Sequence, residues 1–321
     1  MHDFTILVIP GAFAASVAST LDILATAATV SERLGLAAPR WRVCGPQPGT
    51  VALGHDLQLH VQPIEQSTDD QSCWVIPGIG VSDIDQLESR LAEPWTAPFL
   101  SVLSDHIANG KEIAASCSAV FLLHAAGLLD GRRVTTSWWL APHLQRLAPD
   151  CRVDPDFMVL ADHPLTTAGA AFAQTDLMLH LLRRRLSPAI ADAVGKALLL
   201  DRRQLQSPFV IPAVLVQGNA LISRLIAEIE KSLPELTSVK TLAANVGMSE
   251  RTLSRHVHKA TGHSTRQLIQ RVQLHKARAL LESGEHSVEA ISALVGYQDP
   301  TALRRLMRRL LNATPRQLRQ R

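Results

Sequence analysis

Cysteine is scarce in this sequence and never paired at short range. Cys44, Cys73, Cys117 and Cys151 lie far apart, so neither a zinc-ligand spacing nor a disulfide framework can be read among them. That excludes a small stapled secreted fold and makes a reducing cytoplasm the expected compartment. No signal peptide is expected either, because Met1-His-Asp3 runs straight into the apolar stretch Phe4–Ile9 with no basic segment before it. No continuous apolar run of 18 residues is present, so no membrane span is expected. Nothing in the sequence calls for a metal or a cofactor, and none is expected.

A strong overall charge is also missing: 32 Lys and Arg face 29 Asp and Glu, a formal net charge of +3. The balance is uneven along the chain. From Lys231 to Arg321 there are 16 basic and 6 acidic residues, a surplus of ten, and the preceding part carries a deficit of seven. Such a split suggests one domain facing nucleic acid and one that avoids it. With 321 residues, 46% of them hydrophobic, the chain can build two domains with a core each. Boundaries are expected at 1–205 and 213–321. The join falls at Asp201–Pro212, where Ser207-Pro208 and Ile211-Pro212 disfavour helix. Phe209, Val210 and Ile211 should dock it on one of the domains, and helix should resume near Val214 and run to about Ser232.

The last hundred residues contain a near-repeat. Val246-Gly247, Leu253, Arg255 and Ser264-Thr-Arg-Gln-Leu268 return as Val295-Gly296, Leu303, Arg305 and Thr314-Pro-Arg-Gln-Leu318, with an offset of 49 at the glycines and 50 from the leucines on. Each copy reads as helix, glycine turn, helix, which is a DNA-binding motif. In copy one Thr237–Val246 is the supporting helix, Gly247 supplies a positive φ, and Ser249 caps the recognition helix Glu250–Ala260. That helix offers Arg251, Ser254 and Arg255 on one face and Leu253 and Val257 on the other. In copy two Ser287 caps Val288–Leu294, and Asp299-Pro300 starts the recognition helix Thr301–Leu311. It presents Thr301, Arg304, Arg305, Arg308 and Arg309 outward, with Leu303, Leu306, Met307 and Leu310 inward. Between them, the capping-box pattern Ser264-Thr-Arg-Gln267 opens an amphipathic helix, Gln267–Glu282, that would fix their separation.

This stretch resembles the AraC/XylS family of transcription regulators. The carriers are Leu242-Ala-Ala-Asn-Val-Gly-Met-Ser-Glu-Arg-Thr-Leu-Ser-Arg255, Ala260-Thr-Gly262, and Val295-Gly-Tyr-Gln-Asp-Pro300 through Thr314-Pro315. Asn312 replaces a usual glycine and tolerates the left-handed conformation; Leu303 replaces a frequent phenylalanine and stays apolar. The resemblance implies an all-α C-terminal domain with two helix-turn-helix motifs, binding double-stranded DNA. It also implies base-facing roles for Arg251, Ser254, Arg255, Thr301, Arg304 and Arg305.

The first two hundred residues alternate short apolar runs with helical patterns. Strands are expected at Phe4–Ile9, Trp41–Cys44, Trp74–Ile76, Glu112–Ala115 and Val134–Thr136, and helices at Ser16–Leu34, Leu100–Asn109, Ala119–Ala126 and Ala171–Arg185. That alternation means βαβ units around a mostly parallel sheet, with ligands at the carboxyl ends of the strands. Pro10-Gly11 and Pro77-Gly-Ile-Gly80 would form loops on that edge. Cys117 sits at a nucleophile-like position: Glu112-Ile-Ala-Ala-Ser-Cys-Ser-Ala-Val-Phe121 reads as strand, sharp turn, helix, with small neighbours that suit a strained elbow. A thiol facing a helix N-terminus should have a lowered pKa; the alternative is a small buried cysteine. Arg183-Arg-Arg185 suits the C-terminus of its helix, and Trp138-Trp139 suits core or dimer packing.

Val75-Ile-Pro-Gly-Ile-Gly80, Ser116-Cys-Ser-Ala119, Ala126-Gly-Leu-Leu-Asp-Gly-Arg132, Val134-Thr-Thr-Ser-Trp-Trp139 and Thr167-Ala-Gly-Ala-Ala171 with Asp176 together resemble the ThiJ/PfpI superfamily, particularly the GlxA-like regulators in which that fold precedes an AraC-type domain. The resemblance implies a flavodoxin-like α/β N-terminal domain of class I glutamine amidotransferase type, serving effector binding and dimerisation. Catalysis is where the pattern departs. Ser137 stands where related sequences often carry histidine, the expected acid position falls near Ser16, and Asp22 lies well into the next helix. His124 is two turns along the elbow helix from Cys117, about 10 Å at 1.5 Å per residue, too far to act as its base. The expectation is a regulator, not an enzyme: a homodimer without membrane attachment, with a small-molecule pocket at Ser16, Cys117, Ser118 and Ser137. The competing class is a cysteine-dependent PfpI-type hydrolase or hydratase with an appended DNA-binding domain; a third is a non-specific architectural DNA protein.

Overall fold

The computed structural model describes residues 2–65, 70–200, 203–206, 220–235, 238–282, 284–311 and 314–315. The chain divides into two compact units, Met1–Gln206 and Ser207–Arg321. Phe209, Val210, Ile211 and Val214, and with them the expected docking of the join, lie outside the described residues. So do Thr237, Asn312 and the Arg316-Gln317 part of the second capping box.

The first unit is built on one eight-stranded sheet. In chain order its elements are β1 (Phe4–Leu7), α1 (Ala14–Arg33), β2 (Trp41–Gly45), β3 (Gly49–Ala52), β4 (Gln58–Pro63), β5 (Cys73–Ile76), α2 (Ile84–Leu91), α3 (Thr96–Ala108), β6 (Ile113–Ser116), α4 (Val120–Ala125), β7 (Arg133–Val134), α5 (Ala141–Leu147), β8 (Arg152–Val153), β9 (Val159–Asp162), β10 (Leu165–Ala168), α6 (Ala173–Arg185) and α7 (Pro188–Ala197). The strand order is β3-β4-β2-β1-β5-β6-β10-β9. From β4 to β10 every pairing is parallel, and the outermost strands β3 and β9 run antiparallel to their neighbours.

The expected strands at Phe4, Trp41, Trp74 and Glu112 form the middle of this sheet. β1, β5, β6 and β10 are buried along their whole length, which is why the first three read as unbroken apolar runs. β10 did not, because Leu165-Thr-Thr-Ala168 carries two hydroxyls; Thr167 Oγ1 accepts from the Thr135 N–H at 2.9 Å. The strand expected at Val134–Thr136 is shorter than that. Only Arg133–Val134 pairs, with β8, in a separate two-stranded sheet, and Thr135 leaves it for the Thr167 hydroxyl.

α1, α6 and α7 pack against one another. By length and composition α1 is apolar enough to cross a membrane, although Ser and Thr interrupt its alanines. Val17, Ile23, Leu24 and Ala27 are buried in the core of the unit, so its apolar face is used there. The Arg183-Arg-Arg185 run meets carboxylates as well as a helix end. Arg183 pairs with Asp192, while Arg184 and Arg185 both hold Glu112, at 3.0 and 2.8 Å. Trp138 is buried and Trp139 half-buried.

The secondary structure of the second unit is all helix among the described residues: α8 (Ala220–Ser232), α9 (Val239–Asn245), α10 (Glu250–Thr261), α11 (Thr265–Glu282), α12 (Val288–Leu294) and α13 (Pro300–Leu311). It has two small cores. Ile222, Leu225 and Ile229 of α8, Leu242 of α9, Leu253 and Val257 of α10, and Leu268 and Val272 of α11 make the first. Leu274, Ala277 and Leu281 of α11, Ile291 of α12, and Leu303, Leu306 and Met307 of α13 make the second. The sequence pattern gave α8 as a helix without showing that it completes the first core.

One buried group predicts acid sensitivity of the first unit. His106 is stacked on Trp74, ring centroids 3.6 Å apart, and its Nε2 has no hydrogen-bond partner among the described residues. Burial, reinforced by the charge of Lys111, pushes its pKa down from 6.5 to about 4. The unfolded chain therefore binds a proton that the folded one refuses, so stability is lost as pH falls from about 6.5 toward 4. The gap corresponds to roughly 3 kcal/mol once the drop is complete. Urea unfolding followed by tryptophan fluorescence should show this loss in the native chain, and His106→Phe should flatten that part of the pH profile.

Candidate functional site

The two helix-turn-helix copies are closed by the same bonds. In copy one the Gly247 N–H donates to Ala244 O and the Met248 N–H to Ala243 O; in copy two Gly296 donates to Ala293 O and Tyr297 to Ser292 O. Both turn glycines have positive φ, +68° and +85°, which glycine adopts without Cβ strain. Each helix starts on a side-chain cap: Ser238 on the Thr241 N–H, Ser249 on Thr252, Ser264 on Gln267, Ser287 on Ala290, and Asp299 on Thr301, at 2.8 to 3.2 Å. Ser264 and Gln267 complete the expected reciprocal box, since the Gln267 Oε1 accepts from the Ser264 N–H at 2.8 Å.

These constraints leave the arginines outward. Arg251 and Arg255 on α10, and Thr301, Arg304, Arg305, Arg308 and Arg309 on α13, are exposed. Among the described residues Arg251, Arg255 and Arg305 take no ion-pair partner. Arg304 pairs with Glu289 at 2.7 Å; the pair is exposed and worth little, so it orders the guanidinium without withholding it. Ser254 is half-buried, and its hydroxyl accepts from Thr265 Oγ1 at 3.5 Å, which turns it toward the domain. A further group was not foreseen. Gln273, 2% exposed on α11, donates through Nε2 to Val295 O at 2.8 Å and accepts from the Tyr297 hydroxyl at 3.2 Å. It fastens the second turn to the spacer helix. The one signal in the sequence was a polar residue interrupting that helix's apolar face.

In the first unit the loops after β1 and β5 meet at the point where the strand order reverses, the usual ligand crevice of such a sheet. Phe13 N–H donates to Gly78 O at 2.7 Å, Gly80 N–H to Gly11 O at 2.8 Å, and Ala12 pairs with Ile79. Cys117 follows β6 beside them, with φ +54°. A residue with a Cβ at positive φ is strained, as the elbow pattern implied. Gly78 permits the close approach: a Cβ there would lie 2.8 Å from that of Cys117.

The four expected pocket residues are near one another, but most of their hydroxyls are already used. Ser118 Oγ accepts from the Ile79 N–H and donates to Ile79 O, at 2.8 and 2.7 Å. Ser16 Oγ donates to Ala171 O at 2.9 Å. Only Ser137 Oγ, fully buried, lacks a hydrogen-bond partner of normal geometry, and it faces the thiol. The expected lowering of the Cys117 pKa is overturned. Burial pushes the thiol up, against the opposing pull of the Ser118 and Ala171 backbone N–H groups and of the nearby Ser118 and Ser137 hydroxyls. Desolvation beats the helix end here because the thiol is 7% exposed. The exposed ring of Phe172 meets Phe13 edge-on at 6.0 Å close by. Among the described residues no group of three or more His, Cys, Asp or Glu could hold a metal.

The fold and these surfaces define a DNA-binding regulator with an α/β companion domain. Residues 242–321 match a helix-turn-helix domain family and residues 37–184 the DJ-1/PfpI family. The HTH-type transcriptional regulator CdhR of Pseudomonas aeruginosa is 26% identical over 98% of this chain and 91% of its own length. The HTH-type transcriptional regulator GlxA of Rhizobium meliloti is 26% identical over 86% of this chain and 83% of its own. A crystal structure of an AraC family transcriptional regulator from Pseudomonas putida superposes with a TM-score of 0.50 at 20% identity, covering 62% of this chain and all of that one; this likeness concerns the fold. The chain joins a DJ-1/PfpI domain to an AraC-type helix-turn-helix domain and belongs with the transcriptional regulators of that architecture.

Because burial raises the Cys117 pKa above 9.0, alkylation of Cys117 by iodoacetamide should climb about tenfold per pH unit through pH 9. Mass spectrometry of the Cys117 peptide reads this; a plateau below pH 8 would contradict it.

Proposed function

We propose that this regulator reads a specific operator in the cytoplasm with both recognition helices, as a homodimer, and that its α/β domain senses a small molecule at the Cys117 end of the sheet without turning it over. The observation that carries the first part is the identical closure of two turns whose following helices project exposed arginines. Arg251, Ser254 and Arg255 face one half-site and Thr301, Arg304 and Arg305 the next, with Ser254 the weakest of the six because its hydroxyl is engaged.

For the α/β domain, the strained elbow alone would suit a cysteine-dependent hydrolase equally. The groups that act on the thiol favour sensing. They are uncharged hydroxyls and backbone N–H groups, which can hold a ligand but cannot move a proton at neutral pH. The proposed limits are 1–205 for the sensing domain and 213–321 for the DNA-binding domain.

Selection from random duplex DNA with the full chain at near-physiological salt tests this. One shared motif is expected. Arg251→Ala and Arg305→Ala should each cost about 1–3 kcal/mol on that motif and relax the preference at different base positions. Equal affinity for selected and random duplexes would sink the specific-operator reading in favour of an architectural role. Turnover that vanishes in Cys117→Ala would sink the sensing one.

A further inference from the structure

The described end of the first unit is held from within. Residues 204–206 lie along 156–158: the Gln206 N–H donates to Asp156 O at 2.7 Å, the Met158 N–H to Gln204 O at 2.9 Å, and Leu205 pairs with Phe157. Arg203 is tied to α6 by Asp176, 2.6 Å away, and by the Phe172 carbonyl at 2.6 Å. The Gln206 side chain, 2% exposed, carries its amide into the domain. Oε1 accepts from the Ala170 N–H at 2.9 Å. Nε2 lies 2.9 Å from Thr136 O, 3.0 Å from Phe157 O, and 3.2 Å from both Thr135 Oγ1 and Pro155 O. Four acceptors surround two N–H donors. Gly169 makes the room, since a Cβ there would lie 2.1 Å from Gln206 Cδ.

The walls of this socket are also the walls of the elbow. Ala171, next to Ala170, directs its N–H at the Cys117 thiol. Thr136, whose carbonyl receives the Gln206 amide, donates its hydroxyl to Cys117 O at 2.6 Å. Ser137, next in the chain, faces the thiol with its own hydroxyl. An occupant that shifts 136–137 or 170–171 therefore shifts the partners of Gln206, and Gln206 is the last residue of the first unit.

We infer that Gln206 is a latch coupling the Cys117 end of the sheet to the chain segment that enters the DNA-binding unit. As a route of regulation it rests on the sensing role proposed above. Linkage makes the coupling readable from either side.

Hydrogen exchange of the full-length protein tests one direction, with the bulky side chain of Cys117→Phe as the probe in the elbow. The Met158 and Gln206 amides should exchange about tenfold faster than in the native chain, with the β1 amides unchanged. Unchanged exchange at both, or an equal rise in β1, overturns the latch. The other direction uses Gln206→Met and Gly169→Ala, neither of which touches the thiol. Each should speed iodoacetamide alkylation of Cys117 about fivefold; unchanged rates overturn the latch. Should Cys117→Phe fail to fold, this second pair decides alone. DNA affinity of the same variants separates the two claims. If Cys117→Phe alters affinity without altering exchange at Met158 and Gln206, the latch falls and sensing stands. If exchange changes and affinity does not, the latch stands and sensing falls.

Discussion

A single helix, α11, supplies side chains to two hydrophobic cores, and the geometry of the DNA-binding half follows from that sharing. Leu268 and Val272 belong to the first core; Leu274, Ala277 and Leu281 belong to the second. Neither helix-turn-helix core is large enough to be independent of it. Eighteen residues of α-helix span ~27 Å, of the order of the roughly 34 Å that separates successive turns of one groove. Gln273 ties the second turn to the same helix. Two small motifs thereby behave as one reading head whose spacing is set by covalent structure.

The α/β half uses different physics. Its central strands are buried on both faces, so helices must cover them, and the carboxyl end of the sheet at the strand-order reversal is left to loops. Hydrogen bonds between those loops, and the absence of a Cβ at Gly78, press the elbow into a site that is nearly closed. A thiol so placed keeps its proton. The strain stored at Cys117 is the kind found in nucleophile elbows, but the neighbours that would exploit it are hydroxyls and amides. The site has the strained shape of a reaction centre, with uncharged groups acting on its thiol.

Features written locally were legible in the sequence, and those made by distant segments were not. The caps at Ser249, Ser264, Ser287 and Asp299, the glycine turns, and the inward leucines of α10 and α13 each depend on neighbours within a few residues. Four central strands were visible as apolar runs. β10 was hidden because its threonines are satisfied by partners such as Thr135, 32 residues away. The β3–β4 hairpin, with its exposed alternation, gave no strong run either. At the site, the elbow strain at Cys117 was readable from small neighbours, but the sign of its pKa shift was not, since desolvation is imposed by loops from elsewhere in the chain. Gln206 was invisible for the same reason: its five side-chain partners come from three separate segments.

On the reading proposed above, α11 holds two recognition helices in fixed register on one face of a duplex. Hydroxyl-radical footprinting of a selected operator measures this most directly. Two protected patches per protomer are expected, centred about 10 base pairs apart. Inserting about half a helical turn between them should reduce affinity to that of a single half-site. One protected patch, or affinity indifferent to the insertion, would contradict a fixed register.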